Sequence, residues 1–410
     1  MATNSPHLQD VEVAPGSVGD VLRLIREERA ASRSAIARRT GLSPSTVGLR
    51  VDALLRLGLI AEEGDEESRG GRRAKRLEVV RQAGSVAAVD FGARHLTVAV
   101  ADLAGGVVGS VRRPGLPDHD PESVVATMWA EVQGLLAEHG LDPALLSGIG
   151  VGLPAPIEHP SGRVVLPSFM PSWHNVSLPA LFAAHTDVPV VVENDANLVA
   201  LAESAPGARS DADHLLAVVL GTRIGSGILT GGRLHRGSSG AAGEISHSAV
   251  DGEAAISCIC GIPDCLESVA GGGAVAARLT ALGHPVASAS DIIDLGRTAD
   301  PEVVTVLRDA GTRIGASLAT IVNFLNPRTV VLSGTMSASA PLVAAIRAEL
   351  FSRCLPIAAH DLDVRAAADP ANAVVRGATR MILEEVLAPA RVEQRVRALA
   401  ESEAAAGATA

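Results

Sequence analysis

Four residues in one short stretch of this 410-residue chain carry metal-ligating chemistry. His247, Cys258, Cys260 and Cys265 follow the spacing His-x10-Cys-x-Cys-x4-Cys. Three thiolates and an imidazole suit tetrahedral zinc, and four protein ligands leave no position open for a reactive water. Such a site staples a loop. The bland alternative is three thiols packed as small hydrophobes, which is how the fourth cysteine, Cys354, reads on its own. A second group is acidic. Glu193-Asn-Asp-Ala-Asn197 follows an apolar strand, so Asn194 and Asp195 fall at a strand's carboxyl end, where α/β sheets bind ligands. Gly243-Glu-Ile-Ser-His247 and Glu267, just past the last clustered cysteine, place further acceptors (Glu244 among them) beside the thiol loop. Carboxylates with a carboxamide suit the neighbouring hydroxyls of a sugar, since each OH donates to a carboxylate and accepts from an amide. The competing reading is caps and turns, where Asn and Asp are common. Asp90-Phe-Gly-Ala-Arg94 and Gly221-Thr-Arg-Ile-Gly-Ser-Gly227 are either phosphate-holding turns or plain hairpin turns.

A third group is basic. Net charge is −11, yet residues 1–84 hold 14 Arg and Lys against 12 Asp and Glu, which leaves −13 for residues 85–410. Ala30–Val51 contains Arg33, Arg38, Arg39 and Arg50 and no acid, and Arg69, Arg72, Arg73, Lys75 and Arg76 fall within eight positions. A basic patch at one end of an acidic protein is an electrostatic footprint for double-stranded DNA; the alternative is a solvated charged face. In Ser34-Ala-Ile-Ala-Arg-Arg-Thr-Gly-Leu-Ser-Pro-Ser-Thr-Val47, small residues let two helices cross closely and a glycine makes the turn. The second helix then offers Ser43, Ser45, Thr46 and Arg50 to a major groove or its phosphates. Arg69, Arg72 and Arg73, interleaved with glycines, read as a wing that reaches DNA. A helix-turn-helix used for protein contacts is the other possibility.

These groups need elements to hold them. Val18, Val21, Leu22 and Ile25 repeat at i, i+3, i+4, i+7 and predict a helix. Ser34–Gly41 predicts a second, and Ser43-Pro44 opens a third, with Ser as N-cap and Pro at the first helical position. Leu59–Ala61 and Leu77–Val79 read as short flanking strands, so residues 17–82 form a winged helix-turn-helix, and residues 1–16 a flexible tail. After Gly84 come strands at Val86–Phe91, Leu96–Asp102 and Val107–Arg112, then buried strands at Ile149–Leu153 and Val188–Val192. A similar set recurs at Leu215–Leu220, Gly225–Leu229 and Val330–Ser333. The fold class is therefore α/β, a winged helix-turn-helix followed by a two-lobed, actin-like body. Lobe 1 is expected at about 85–198 with a C-terminal helix at 375–388, lobe 2 at about 199–374, and a tail at 389–410. Hydrophobic residues make up 47% and charged residues 20%, which excludes a disordered chain. No run reaches the roughly 18 apolar residues of a membrane span, the start MATNSPHLQD has no apolar stretch, and four cysteines cannot make a disulfide framework. A cytoplasmic protein is expected.

Together these segments resemble the ROK family, sugar kinases and sugar-responsive repressors with a hexokinase-type fold, over about residues 17–388. The marks are Cys258-Ile-Cys-Gly-Ile-Pro-Asp-Cys265-Leu-Glu267 with His247, Glu193–Asn197 and Gly221–Gly227, and more weakly Gly152–Pro156, Trp173–Asn175, Asn323–Pro327 and Val330–Gly334. The resemblance implies that Asn194, Asp195, Glu244, His247 and Glu267 hold the sugar, with Asp195 the base if the chain is a kinase. It implies structural zinc on His247, Cys258, Cys260 and Cys265, and dimers or tetramers formed through the C-terminal domains. The helix-turn-helix is what family repressors carry and family kinases lack. This chain also departs from the kinases. Ala93 and Arg94 stand where the family has a glycine and a hydroxyl, Arg223 replaces a glycine, and Ser333-Gly334-Thr335 stands for a glycine pair. Close backbone approach to phosphate needs glycine, so poor ATP binding is expected. Ser246 replaces a glycine in the sugar motif, a change expected to alter ligand choice. The expected function is a repressor of carbohydrate uptake or catabolism genes, responsive to a sugar or sugar phosphate and not an enzyme; the alternative is a sugar kinase that also binds DNA.

Overall fold

The computed structural model describes residues 16–28, 32–65, 75–92, 94–115, 120–167, 170–204 and 213–408. The chain opens with α1 (Val18–Glu28), α2 (Arg33–Thr40) and α3 (Pro44–Arg56), followed by an antiparallel hairpin of β1 (Ile60–Asp65) and β2 (Lys75–Val79). The apolar stripe of α1 is fully internal, with Val21 and Ile25 at 0% exposure, and Val47, Val51 and Leu54 of α3 close over it. Ser32 caps α2 by accepting from Ala35 N, and Gly41 ends it at φ 71, a left-handed conformation that costs a Cβ-bearing residue energy. The hairpin strands are longer than the expected triplets. Residues 1–15 of the tail expected at 1–16, and Arg69, Arg72 and Arg73 of the wing, lie outside the described residues.

The body holds two sheets with one plan. In lobe 1, β3 (Ser85–Gly92), β4 (His95–Asp102) and β5 (Val107–Pro114) form an antiparallel meander. Helix α4 (Pro121–Glu138) crosses to β6 (Leu146–Leu153), which runs parallel to β3. The small hairpin β7 (Ile157–Glu158) and β8 (Arg163–Val164) and helix α5 (Leu178–Phe182) lead to β9 (Val190–Asn194), parallel to β6. Helix α6 (Asp195–Glu203) follows directly. Lobe 2 repeats the pattern with β10 (Leu215–Leu220), β11 (Ile224–Thr230) and β12 (Arg233–Leu234). Four helices, α7 (Leu266–Ala270), α8 (Gly272–Ala281), α9 (Ala289–Arg297) and α10 (Pro301–Leu325), precede β13 (Thr329–Ser333). Helices α11 (Ala340–Arg353) and α12 (Pro356–Ala359) lead to β14 (Asp363–Ala366). The strand orders, β5-β4-β3-β6-β9 and β12-β11-β10-β13-β14, are the same order twice.

Two details differ from the reading of the sequence. The 198/199 lobe boundary falls inside α6, an unbroken helix, so α6 is better described as the element shared by both lobes. The C-terminal segment is not a free tail. Helix α13 (Ala373–Val386) packs back on lobe 1, and α14 (Pro389–Ala408) runs from it onto α1. Gly19 of α1 meets the backbone of Pro389 so closely that a Cβ there would stand 2.2 Å from its Cα. Glu393 accepts from Val18 N at 2.9 Å, satisfying a donor at the start of α1. The first periodicity one sees in 389–410 is weak because its apolar partners, Val392 and Val396, are few. A single apolar cluster then joins Val21, Leu22, Ile25 and Leu54 of the first domain to Val86, Ala101 and Leu103 of lobe 1 and to Ile382, Val386 and Val392. That domain is welded to lobe 1.

Candidate functional site

The carboxyl end of β9 delivers Glu193, Asn194 and Asp195 to the cleft between the lobes. Asn194 does what the bland reading requires: its Oδ1 caps α6 by accepting from Ala196 N at 2.9 Å and Asn197 N at 3.3 Å. Its Nδ2 donates to Ala155 O at 3.2 Å. Asp195 is different. Its Oδ1 accepts from Ala196 N at 2.8 Å, but its carboxyl is pushed up to about 7 by burial and by the Asp90 and Glu244 carboxylates, against the pull of that N–H and of His95. A half-buried acid beside two others is a group waiting for hydrogen-bond donors or a proton.

Lobe 2 supplies the opposite bank. Glu244, its carboxyl raised by burial, lies 3.7 Å from His247 Nε2. Burial and the Arg223 cation lower the pKa of His247. Glu267 is 2% exposed; its Oε2 accepts from Ile224 N at 2.8 Å, while its Oε1 is buried with no partner among the described residues. Burial pushes its carboxyl up to about 6, with the Ile224 N–H and Arg223 opposing. Unsatisfied buried acceptors are rare in native proteins and mark a missing donor.

The thiol loop is what holds this bank. Donor atoms of His247, Cys258, Cys260 and Cys265 all lie within 4.8 Å of one another, and His247 Nδ1 is 3.5 Å from Cys258 Sγ. Cys265 is the N-cap of α7, so Glu267 sits in the first turn of the helix that the loop ends in. Val250 N to Asp264 O and Leu266 N to Ser248 O bind the two ends of the loop together. A metal on this donor set would hold His247 and the start of α7, which carries Glu267, together.

Each of the two glycine-bearing turns carries an arginine, Arg94 in the first and Arg223 in the second. In the first, His95 Nε2 lies 2.8 Å from Asp90 Oδ2, and Arg94 Nη1 donates across the cleft to Ala287 O at 2.6 Å; Ala93 lies outside the described residues. In the second, Gly221 N donates to Arg223 O at 3.0 Å, and Arg223 faces His247 and Glu267 electrostatically. On the DNA-type face, Ser43 Oγ accepts from Thr46 N at 3.1 Å and lies 2.8 Å from Ser45 Oγ, all at the exposed start of α3. Arg50 stands apart from these: its Nη1 is buried against Gly16 with no partner among the described residues. Arg33 is tied up by Asp52 at 2.8 Å and Glu62 at 3.1 Å, whereas Arg38 is exposed. Three residues at the cleft had no separate signal in the sequence: His95, Glu193 and Arg236. Only the proximity of Glu193 to Asn194 hinted at one of them.

A winged helix-turn-helix welded to a two-lobed sugar-kinase-like body is the architecture of a regulator rather than of a free-standing kinase. Residues 86–385 match the ROK family and residues 19–61 match winged helix-turn-helix DNA-binding domains; the chain belongs to the ROK family. It is 28% identical over 368 residues to a xylose repressor of Bacillus spizizenii, covering 90% of this chain and 94% of that protein. It is similar along 92% of its length, with TM-score 0.78 and 25% identity, to the crystal structure of a ROK family transcriptional regulator, a homolog of the E. coli MLC protein, of which it covers 98%. A glucokinase of Halalkalibacterium halodurans is 30% identical over 296 residues, 68% of this chain and 89% of that protein.

Proposed function

We propose that the chain is a sugar-responsive transcriptional repressor of carbohydrate uptake or catabolism genes, with a structural zinc and no kinase role. The observation that carries the effector half is the orphaned Oε1 of Glu267, a buried acceptor with no donor among the described residues, in a chain whose Asp195, Glu244 and Glu267 carboxyls are all raised by burial. A sugar hydroxyl supplies that donor, and Asn194, Asp195, Glu244, His247 and Glu267 are the ligand set. Zinc held by His247, Cys258, Cys260 and Cys265 acts as a staple for the lobe 2 bank. Ser43, Ser45 and Thr46 read the major groove, while Arg69, Arg72 and Arg73 reach phosphates or a minor groove; Arg50 contacts DNA only if it turns away from Gly16. The Asp90–His95 pair, the Arg94 crossing to Ala287 O and the Arg223 cation replace the open glycine turns a nucleotide needs, which supports a non-enzymatic reading.

One helix-turn-helix reads one half-site, so two copies are needed on a pseudo-palindromic operator. Exposed Phe324, Phe351, Leu355 and Ile357 on lobe 2 offer apolar surface for a second copy. Closure of the lobes around a sugar changes the position of the first domain, which rides on lobe 1, relative to lobe 2. A ligand shifts such an equilibrium by its differential affinity for the two states, and hydrogen bonds from both banks form only when the cleft is closed. The second reading, a sugar kinase that binds DNA, is favoured by Asp195, whose carboxyl near 7 is suited to a base. Nucleotide consumption with D-glucose, D-xylose and N-acetyl-D-glucosamine decides between them: the repressor reading expects none.

A further inference from the structure

We infer that the ion pair Glu193–Arg236, a buried carboxylate held by a half-buried guanidinium, is a positioning pair that sets the spacing between the two banks of effector ligands and thereby which sugar the cleft accepts; this rests on the pocket assignment made above. Glu193 is 1% exposed and both oxygens of its carboxylate accept hydrogen bonds. Oε1 accepts from Asn194 N and from Asn197 Nδ2, both at 2.9 Å. Oε2 accepts from Arg236 Nε at 2.6 Å and lies 3.3 Å from His159 Nε2. No oxygen is left for a sugar, so Glu193 acts through what it holds. On one side it holds the backbone of Asn194 and the first turn of α6, where Asp195 begins the helix. On the other it holds Arg236, the start of the segment that leaves β12 and arrives at Glu244 and His247.

That segment belongs by sequence to lobe 2 and by contact to lobe 1. Gly240 lies so close to β7 that a Cβ there would stand 2.1 Å from Ile157 O. Its far end is returned to the lobe 2 sheet, because Ser226 Oγ donates to Gly243 O at 2.6 Å. Residues 236–243 are thus a bridge with one foot on each lobe, and the ion pair is the foot on lobe 1. Burial raises the Glu193 carboxyl, but His159, Arg236 and Asn197 outweigh it and hold the group at about 2, so the foot stays charged at any working pH. Removing Arg236 strands the buried Glu193 charge, so the pair resists substitution at that side.

The test uses the full chain with Arg236→Lys, which keeps the charge and loses the Nε geometry, and Glu193→Gln as the partner change. Calorimetry with D-xylose, D-glucose and N-acetyl-D-glucosamine gives the ratio of their Kd values; hydrogen exchange of the sugar-free protein follows residues 236–247 and 194–197; DNA affinity reports the first domain. A positioning pair predicts that Arg236→Lys speeds exchange in both segments together and changes the ratio of sugar affinities by roughly fivefold or more, with sugar-free DNA affinity within about twofold of wild type. A uniform loss of affinity with an unchanged ratio assigns the pair to fold support alone and overturns the inference. Unchanged exchange in both segments overturns it too. Wild-type protein that binds none of the three sugars contradicts the pocket assignment instead, and coupled acceleration of the two segments by Arg236→Lys then still shows that the pair joins them.

Discussion

Lobe 1 and lobe 2 are built on one strand order but are loaded differently at the cleft. Lobe 1 presents Asn194 and Asp195 from a strand–helix junction and carries the DNA-type domain on its back through a continuous apolar cluster. Lobe 2 carries Glu244 and His247 at a short 3-10 turn and Glu267 in the first turn of α7, beside a cluster of four metal-ligating donor atoms. On the proposed reading, the sugar ligands of lobe 1 are fixed by secondary structure and those of lobe 2 by a zinc staple. A sugar bridging them would pull the lobe that carries the DNA-type domain against a lobe whose contribution can be removed by chemistry. This asymmetry gives each lobe its own way of failing.

The largest effect is expected from the staple. A Cys260→Ser variant loses the metal and, with it, the alignment of His247 and Glu267, because binding energy at such a site is folding energy. Elemental analysis should show about one zinc per wild-type chain and essentially none in the variant, and the sugar response should vanish while sugar-free DNA binding persists. Wild-type protein without zinc would end this part of the account.

On the lobe 1 side, truncation after Ala388 removes α14 and with it Val392, Glu393 and the Pro389 contact with Gly19. The first domain should then melt separately and bind DNA at least roughly tenfold more weakly, since several buried apolar contacts of about 1–3 kcal/mol each are lost. Sugar affinity should change little. Equal loss of both functions would show that the two lobes are not separable in this way.

Asp195→Asn should reduce the effect of sugar on DNA binding by about tenfold, the cost of one charge-assisted hydrogen bond, while leaving sugar-free DNA affinity nearly intact. The pH dependence has a definite sign. The Asp195 carboxyl, with Asp90, Glu244 and His95 around it, sits near 7 in the folded protein, above its ordinary value, so the folded chain holds an extra proton between about 4 and 7. Its stabilising share is complete below pH about 4 and disappears as pH rises through 7; Asp195→Asn should therefore raise Tm at pH 8 more than at pH 5. Sugar hydroxyls favour the carboxylate, so wild-type sugar affinity should rise from pH 5 to pH 8, and that rise should flatten in the variant.

The smallest effect concerns the wing. Arg72→Ala with Arg73→Ala should lower the slope of log affinity against log salt by about one to two units, as each lost phosphate contact releases fewer counterions. Sugar binding should not change, and an unaltered slope would remove these arginines from the DNA-facing set.

Much of this was written in the chain. The α1 stripe, the Ser43-Pro44 start of α3 and the apolar strands announced themselves because local periodicity and caps decide them. The thiol spacing and the Glu193–Asn197 run pointed to the cleft because their residue types are seldom assembled for packing. Long-range contact was not legible. Val392 and Glu393 look like a sparse tail until α1 is placed beside them, and Arg236 looks like any surface arginine until it meets Glu193, 43 positions away. Arg50 was read from its place on the polar side of α3, yet its guanidinium turns to Gly16. Asn194 served both readings, since a cap and a ligand position coincide at a helix start.

The measurement closest to the central claim is duplex DNA binding with and without sugar. DNA selected from a random pool by the sugar-free protein would be titrated at fixed salt, alone and with saturating D-xylose, D-glucose or N-acetyl-D-glucosamine, for wild type and Asp195→Asn. The account predicts that at least one sugar changes wild-type affinity by about tenfold or more, and that the change shrinks in the variant while sugar-free binding stays the same. If no sugar altered DNA affinity, or if Asp195→Asn abolished DNA binding with no sugar present, the cleft would not be an effector site and the account would be wrong.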